Sequence, residues 1–214
     1  TDFDGDSVSL SGTLSVIVEN DIPTTSGNAV VIADEDDLTA GNHDTVTGDD
    51  TPANLTGVLQ FSVGADEPAT VGFASLNGTA VLDTSNVAVK VGNVALTYVW
   101  DASANTLYAS TNPANAGTAA ATAAFSVQVT NTATGAYQFA LLRAVDHPAH
   151  GAEDNIDINL TYTVSDNDND LRTGTLAVSI DDDTPTIVAS GIAPTLNVDE
   201  TNFGFNASAS FATA

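Results

Sequence analysis

Apolar and polar residues alternate with a period of two along much of the chain, the signature of strands with one buried face. Leu59-Gln60-Phe61-Ser62-Val63 has this pattern, as do Phe125-Ser126-Val127-Gln128-Val129 and Tyr137-Gln138-Phe139-Ala140-Leu141-Leu142. The longest run lies between Ile156 and Val164, where Ile156, Ile158, Leu160, Tyr162 and Val164 are separated by single polar residues. Leu176, Val178 and Ile180 resume it after an acidic turn. Val87 to Val91 and Val94 to Trp100 flank Gly92-Asn93, which predicts a hairpin with a tight two-residue turn. Asp101 to Asn105 turns the chain again into Thr106-Leu107-Tyr108-Ala109. Short alternating strands with turn residues between them predict an all-β fold, a β-sandwich of immunoglobulin-like or related Greek-key type. The alanine-rich stretch 114–124 has room for one helical turn or a small-residue loop, and we assign it to loop. Trp100 and Tyr98 could stack on sugar rings, but core packing is the commoner use of strand aromatics, and we assign both to the core.

The pattern also repeats on a larger scale. Asp2-Phe3-Asp4-Gly5-Asp6 is echoed by Asp166-Asn167-Asp168-Asn169-Asp170, and Gly12-Thr13-Leu14-Ser15-Val16-Ile17-Val18 by Gly174-Thr175-Leu176-Ala177-Val178-Ser179-Ile180. Asn20-Asp21-Ile22-Pro23-Thr24 matches Asp182-Asp183-Thr184-Pro185-Thr186, and Asp34-Glu35 matches Asp199-Glu200. These features recur in the same order at nearly constant offset, so the chain holds about one full period and the start of another, as in a tandem array. Residues 23–184 are then the main sandwich. Residues 1–22 supply terminal strands of a preceding copy, or N-terminal strands packed on this one, and residues 185–214 begin the next. Thr1 opens in mid-pattern, as if the chain belonged to something longer.

Composition narrows the function. The 214 residues carry 28 Asp and Glu against 3 Lys and Arg, a net charge of −25. Lys90, Arg143 and Arg172 form no patch that could displace phosphate counterions, which excludes nucleic acid and disfavours anionic membrane surfaces. No window approaches 18 uninterrupted apolar residues, so no membrane insertion is expected. The absence of Cys removes disulfides, thiolate metal sites and cysteine catalysis. Hydrophobic residues at 43% with charged residues at only 14% argue for a folded chain. The acids are unevenly spread: 12 fall in residues 1–50 and 11 in 151–214, leaving 5 for the middle hundred. Clustered like charges repel unless a cation offsets them, so the two ends are the candidate ion sites.

Asp2, Asp4 and Asp6, and Asp166, Asp168 and Asp170, each place three carboxylates on alternate residues with small or amide residues between, a spacing that suits Ca²⁺ or another hard cation. A polar β-turn uses the same residues without an ion. Asp21 and the pair Asp181 and Asp183 lie where a strand stops before a proline. With Asp34 and Glu35, or Asp199 and Glu200, they could share an ion that stiffens a joint, the plainer reading being an acidic linker. His147-Pro148-Ala149-His150 with Glu153-Asp154 invites a zinc reading, but a proline interrupts the pair, and imidazoles hydrogen-bonding locally in a loop are the reading adopted. No nucleophile elbow, phosphate loop or dinucleotide fingerprint occurs, and among 28 acids any glycosidase pair can be proposed, so no enzyme is expected.

The Asp-x-Asp-Gly-Asp turn at Asp2, the Gly-Thr-Leu-x-Val-x-Ile strand at Gly174 and the Asp-Asp-x-Pro-Thr junction at Asp182 together resemble the repeat domains of giant RTX adhesins. Tyr137 to Pro148 and Glu153 to Asp170 resemble the last third of that repeat, while residues 50–120 agree only in strand-rich composition. Asn169 departs from the pattern by standing where the first copy has Gly5, and the glycine-rich nonapeptides of RTX β-rolls do not occur. The resemblance implies an extracellular, Ca²⁺-stabilised sandwich, exported by type I secretion and arrayed on a Gram-negative cell surface to mediate attachment in biofilms. Its partners would be neighbouring repeats of the same polypeptide, and several Ca²⁺ ions would fold and rigidify an otherwise monomeric module outside the cell. The expected function is a passive extender. The alternative is a part of the ligand-binding region, recognising a sugar or peptide or carrying an inserted binding module.

Overall fold

The structure, a computed structural model, describes residues 3–6, 12, 15–39, 41, 54–148 and 154–183. Among them are thirteen strands: β1 (Thr24–Thr25), β2 (Val31–Asp34), β3 (Asn54–Val58), β4 (Phe61–Ser62), β5 (Thr70–Gly72), β6 (Lys90–Val91), β7 (Val94–Ala95), β8 (Thr97–Asp101), β9 (Thr106–Ser110), β10 (Ala123–Asn131), β11 (Ala136–Leu141), β12 (Asn155–Ser165) and β13 (Leu171–Asp181). One sheet runs β3-β11-β10-β9-β8 and the other β2-β13-β12-β5, with short ribbons β1-β4 and β6-β7 beside them. The protein is an all-β sandwich.

Period-two burial builds the space between the sheets. From β12, Ile156, Ile158, Leu160, Tyr162 and Val164 point inward, as do Leu176, Val178 and Ile180 from β13. They meet Leu107, Phe125, Val127, Phe139 and Leu141 of the facing sheet in one contiguous core. Phe125 and Phe139 stack with centroids 5.5 Å apart, and Phe73 meets Tyr162 edge-on at 6.2 Å. Tyr98 is buried and Trp100 packs against the core's margin. Glycine is demanded opposite Tyr162: Gly174 is its register partner, and a Cβ there would run into the phenol ring.

Local differences from the sequence reading have physical causes. The stretch assigned to loop holds helix α1 (Ala116–Thr122), where the Asn115 side chain accepts from the Thr118 amide at 3.0 Å and Thr118 Oγ1 accepts from the Asn115 amide at 3.1 Å. That reciprocal capping box, followed by good helix formers, stabilises two turns where alanine content alone was ambiguous. The run at Leu59 breaks after β3, because Leu59 and Gln60 pair outside the ladder and only Phe61-Ser62 re-enters a strand. The Gly92-Asn93 hairpin forms with both residues at positive φ, 56° and 67°, but its ribbon is only β6-β7. Both turn amides donate to Asp146, at 2.7 and 2.6 Å. Finally, β2 pairs in parallel with β13, Asp34 opposite Asp181, an arrangement no local pattern encodes.

Candidate metal centres

The hairpin β12-β13 is the module's longest element, eleven residues per strand. At about 3.4 Å per residue it separates its turn from its open end by roughly 35 Å. Each pole holds a group of acidic residues.

At the turn pole, Asp166 closes the hairpin: its Oδ1 accepts from the Asp170 amide at 2.8 Å, while Asn169 takes the left-handed conformation at φ 73°. Asp166 is 5% exposed, and its Oδ2, also buried, has no hydrogen-bond donor. Carboxylate oxygens of Asp66, Asp166 and Asp168 lie within 4.8 Å of one another. Desolvation, reinforced by Asp168, pushes the Asp166 carboxyl above the usual range. Hydrogen bonding to Asp166, against some desolvation and with help from Asn20, holds Asp168 below it. With both ionised, Asp166 keeps a buried, donorless oxygen in a group of like charges, a state that a proton or a cation resolves. The segment before β1 is tied to the same pole. Asn20 Nδ2 donates to Asp170 Oδ2 at 2.7 Å, and Asp21 Oδ2 accepts from the Ala65 amide at 3.0 Å.

At the open pole the parallel pair β2-β13 sets Asp34 opposite Asp181, and the residues that follow, Glu35 and Asp182, bring carboxylate oxygens within 4.8 Å inside a single sandwich. Asp34 is buried, and its Oδ1 accepts from the Asp36 amide at 2.9 Å. The Glu35 amide donates to the Asp181 carbonyl at 3.2 Å, and Glu35 Oε1 accepts from the Val145 amide at 2.7 Å. His147 is buried here with Nε2 3.3 Å from Glu35 Oε1 and Nδ1 3.3 Å from Asp154 Oδ1. Burial lowers the imidazole pKa, but the Glu35 hydrogen bond and the charges of Glu35, Asp182 and Asp154 outweigh it, and the net shift is upward. Asp182 is raised chiefly by its own desolvation, with Glu35 and Asp154 adding and His147 opposing. Glu35, His147 and Asp182 form the second group able to hold an ion among the described residues.

Of the residues chosen from sequence, the structure brings Asp166 and Asp168 together with Asp170 and Asp21 nearby, and Asp34, Glu35, Asp181 and Asp183 to the other pole. Asp4 and Asp6 lie on an exposed turn with Gly5 at φ 96° between them. Asp2, Asp199 and Glu200 lie outside the described residues, as do His150, Glu153 and the whole of 185–214. Asp66 was not foreseen; its only signal was being one of five acids in the acid-poor middle. Asp154 and Asp182 stood in acidic runs seen in the sequence but were not chosen as ligands, and His147 lies in a loop as expected, buried against Glu35 from far along the chain rather than bonded within the loop alone.

Fold and poles define a class: a two-sheet, all-β module with a cation-competent carboxylate group at each end. Over residues 29–179, well over half of its length, the chain matches the family described as Domain of unknown function (DUF5801), and it belongs to that family. No curated protein and no solved structure matches it. Among the described residues no helix is long and apolar enough to cross a membrane.

Proposed function

We propose that this protein is a non-catalytic repeat module of a large bacterial surface adhesin, secreted through a type I system and stiffened outside the cell by Ca²⁺. The observation that carries the reading is the buried Asp166 carboxylate, whose Oδ2 has no donor and which lies with carboxylate oxygens of Asp66 and Asp168 in one group within 4.8 Å. Oxygen-only donors on a rigid hairpin turn suit a hard cation, and Ca²⁺ is the abundant one in extracellular fluid. An ion there would neutralise the turn and hold Asn20 and Asp21, which already bond to this pole, against it. In cytosol the same carboxylates would repel, favouring the unfolded chain that export requires; outside, binding free energy becomes folding free energy.

The extender role draws on the chain's path. The chain arrives at the turn pole through Asn20 and Asp21 and leaves the hairpin at the open pole through Asp181, so copies would follow one another along its length. The repeat pattern agrees: Val16 and Val18 are 72% and 87% exposed, whereas their counterparts Val178 and Ile180 are 1% and 0% exposed within β13. The same apolar pattern on the exposed segment is what the last strand of a preceding copy would look like without its sheet. Thermal unfolding in CaCl₂, in MgCl₂ and in EDTA tests the ion: a Ca²⁺-specific rise in Tm supports it, and three coincident curves refute it. A glycan array separates extender from ligand-binding region, since binding of a defined sugar would favour the latter.

A further inference from the structure

We propose that the open pole is a site for a zinc-class divalent cation, ligated by His147 Nε2, Glu35 and Asp182, and so differs in ion preference from the all-oxygen turn pole. Ligand atoms of these three residues lie within 4.8 Å of one another, and the side chains of Glu35 and His147 are each only 3% exposed. The imidazole decides the ion. Ca²⁺ and Mg²⁺ take oxygen, whereas an imidazole nitrogen, which gives up its proton when a metal binds, suits zinc and its transition-metal neighbours.

Three features of the geometry point the same way. The Nε2 to Oε1 separation of 3.3 Å is long for a charge-assisted hydrogen bond. It matches the edge, about 3.3 Å, of a tetrahedron whose bonds are those of zinc to His nitrogen and carboxylate oxygen. The other ring nitrogen, Nδ1, is buried, makes no hydrogen bond and faces Asp154 Oδ1 at 3.3 Å. A carboxylate in that place orients a metal-bound imidazole and fixes its tautomer. The ligands also sit on braced backbone: Glu35 Oε1 is held by the Val145 amide, the Glu35 amide bonds to Asp181, and the Asp182 amide bonds to the Asp154 carbonyl at 3.2 Å. His147 and Asp182 both line a surface cleft, with Asp146, Asp183 and Lys90 around it, from which an ion could enter.

The test titrates the Ca²⁺-saturated protein with Co²⁺, a visible-spectrum reporter for zinc sites, and then displaces it with Zn²⁺. The expected result is one Co²⁺ per chain with the intense bands of a four-coordinate ion, lost on adding one equivalent of Zn²⁺ and kept in excess Ca²⁺. His147→Ala abolishes the bands, and Asp182→Asn does so independently should the histidine variant fail to fold by circular dichroism. Asp154→Asn weakens Zn²⁺ by about 10–100-fold, as loss of an orienting partner does. His43→Ala, His150→Ala and Asp66→Asn retain the bands, the last separating this site from the turn pole. Absence of Co²⁺ binding, a pale octahedral spectrum, or binding that survives His147→Ala but is lost in His43→Ala or His150→Ala overturns the proposal.

Discussion

Replacing Asp166 by Asn separates the two faces of a carboxylate cluster. The amide keeps the shape and the Oδ1 acceptor, so the 2.8 Å bond from the Asp170 amide survives, while the charge facing Asp66 and Asp168 is gone. The sign follows from the upward shift of Asp166. A carboxyl whose folded pKa lies above its unfolded value is ionised at a cost at neutral pH, and that cost vanishes as pH falls through the folded value. Without a cation, then, Asp166→Asn should melt above the wild type. With Ca²⁺ the order reverses, because the variant has lost its most buried ligand. An ion at one hundred times its dissociation constant contributes about 2.7 kcal/mol. For a domain of this size each kcal/mol moves Tm by about 2–4 °C, so the wild type should gain roughly 5–10 °C between EDTA and saturating CaCl₂. The variant should gain little. Differential scanning calorimetry of both proteins in both buffers reads all four values. Parallel shifts, with the variant displaced in the same direction in EDTA and in Ca²⁺, would refute the ion site and leave an ordinary polar turn.

Two further outcomes test the fold itself. Gly174→Ala should cost about 1–3 kcal/mol in urea unfolding, because its Cβ would collide with the fully buried Tyr162 ring. Gly12→Ala, at the equivalent place in the other copy of the pattern, meets nothing within 4 Å and should stay within about 0.5 kcal/mol; equal effects would contradict the burial difference between the copies. Tyr98, buried with its hydroxyl unbonded, has its pKa pushed up by desolvation. Above the ordinary tyrosine range the unfolded chain therefore loses a proton that the folded one keeps, and stability falls as pH rises. In an alkaline absorbance jump, Tyr98 should ionise only with the loss of near-UV dichroism, and rapid ionisation in the intact fold would disprove its burial.

What sequence revealed of this molecule is what local periodicity and local charge can encode. The alternation from Ile156 to Val164 becomes the inward face of β12 residue for residue, because a strand with one buried side has no other way to satisfy a period of two. The Asp166 turn was legible for a similar reason, its three acids being adjacent in the chain. Asp66 was not, since it reaches the turn through tertiary contact, the Asn167 amide bonding to the Asp66 carbonyl at 3.1 Å. The open pole was half legible. Acid runs at 34–37 and 181–183 were visible as charge, but their meeting depends on the parallel register of β2 on β13, and His147 joins them only because the chain after β11 folds back over Glu35. The alanine-rich stretch concealed a helix for the opposite reason: its decisive signal was a single capping residue, Asn115, rather than a period.

The placement of charge and the placement of strands support one another in a way neither does alone. Repulsion within a carboxylate cluster weakens a fold least when the cluster sits at an end, where few core contacts depend on it. Here both clusters cap the same hairpin, whose register is pinned by eleven cross-strand pairs and whose inner face is the main apolar surface of its sheet. Cations at the two poles would therefore act on the ends of one rigid strut without disturbing the packing between the sheets. In the proposed extender, load would run along β12 and β13 and neighbouring copies would meet at the poles, so stiffness at the joints would follow from ion occupancy while the sandwich stayed unchanged. Such a division of labour is what the proposed spacer role would require of the module.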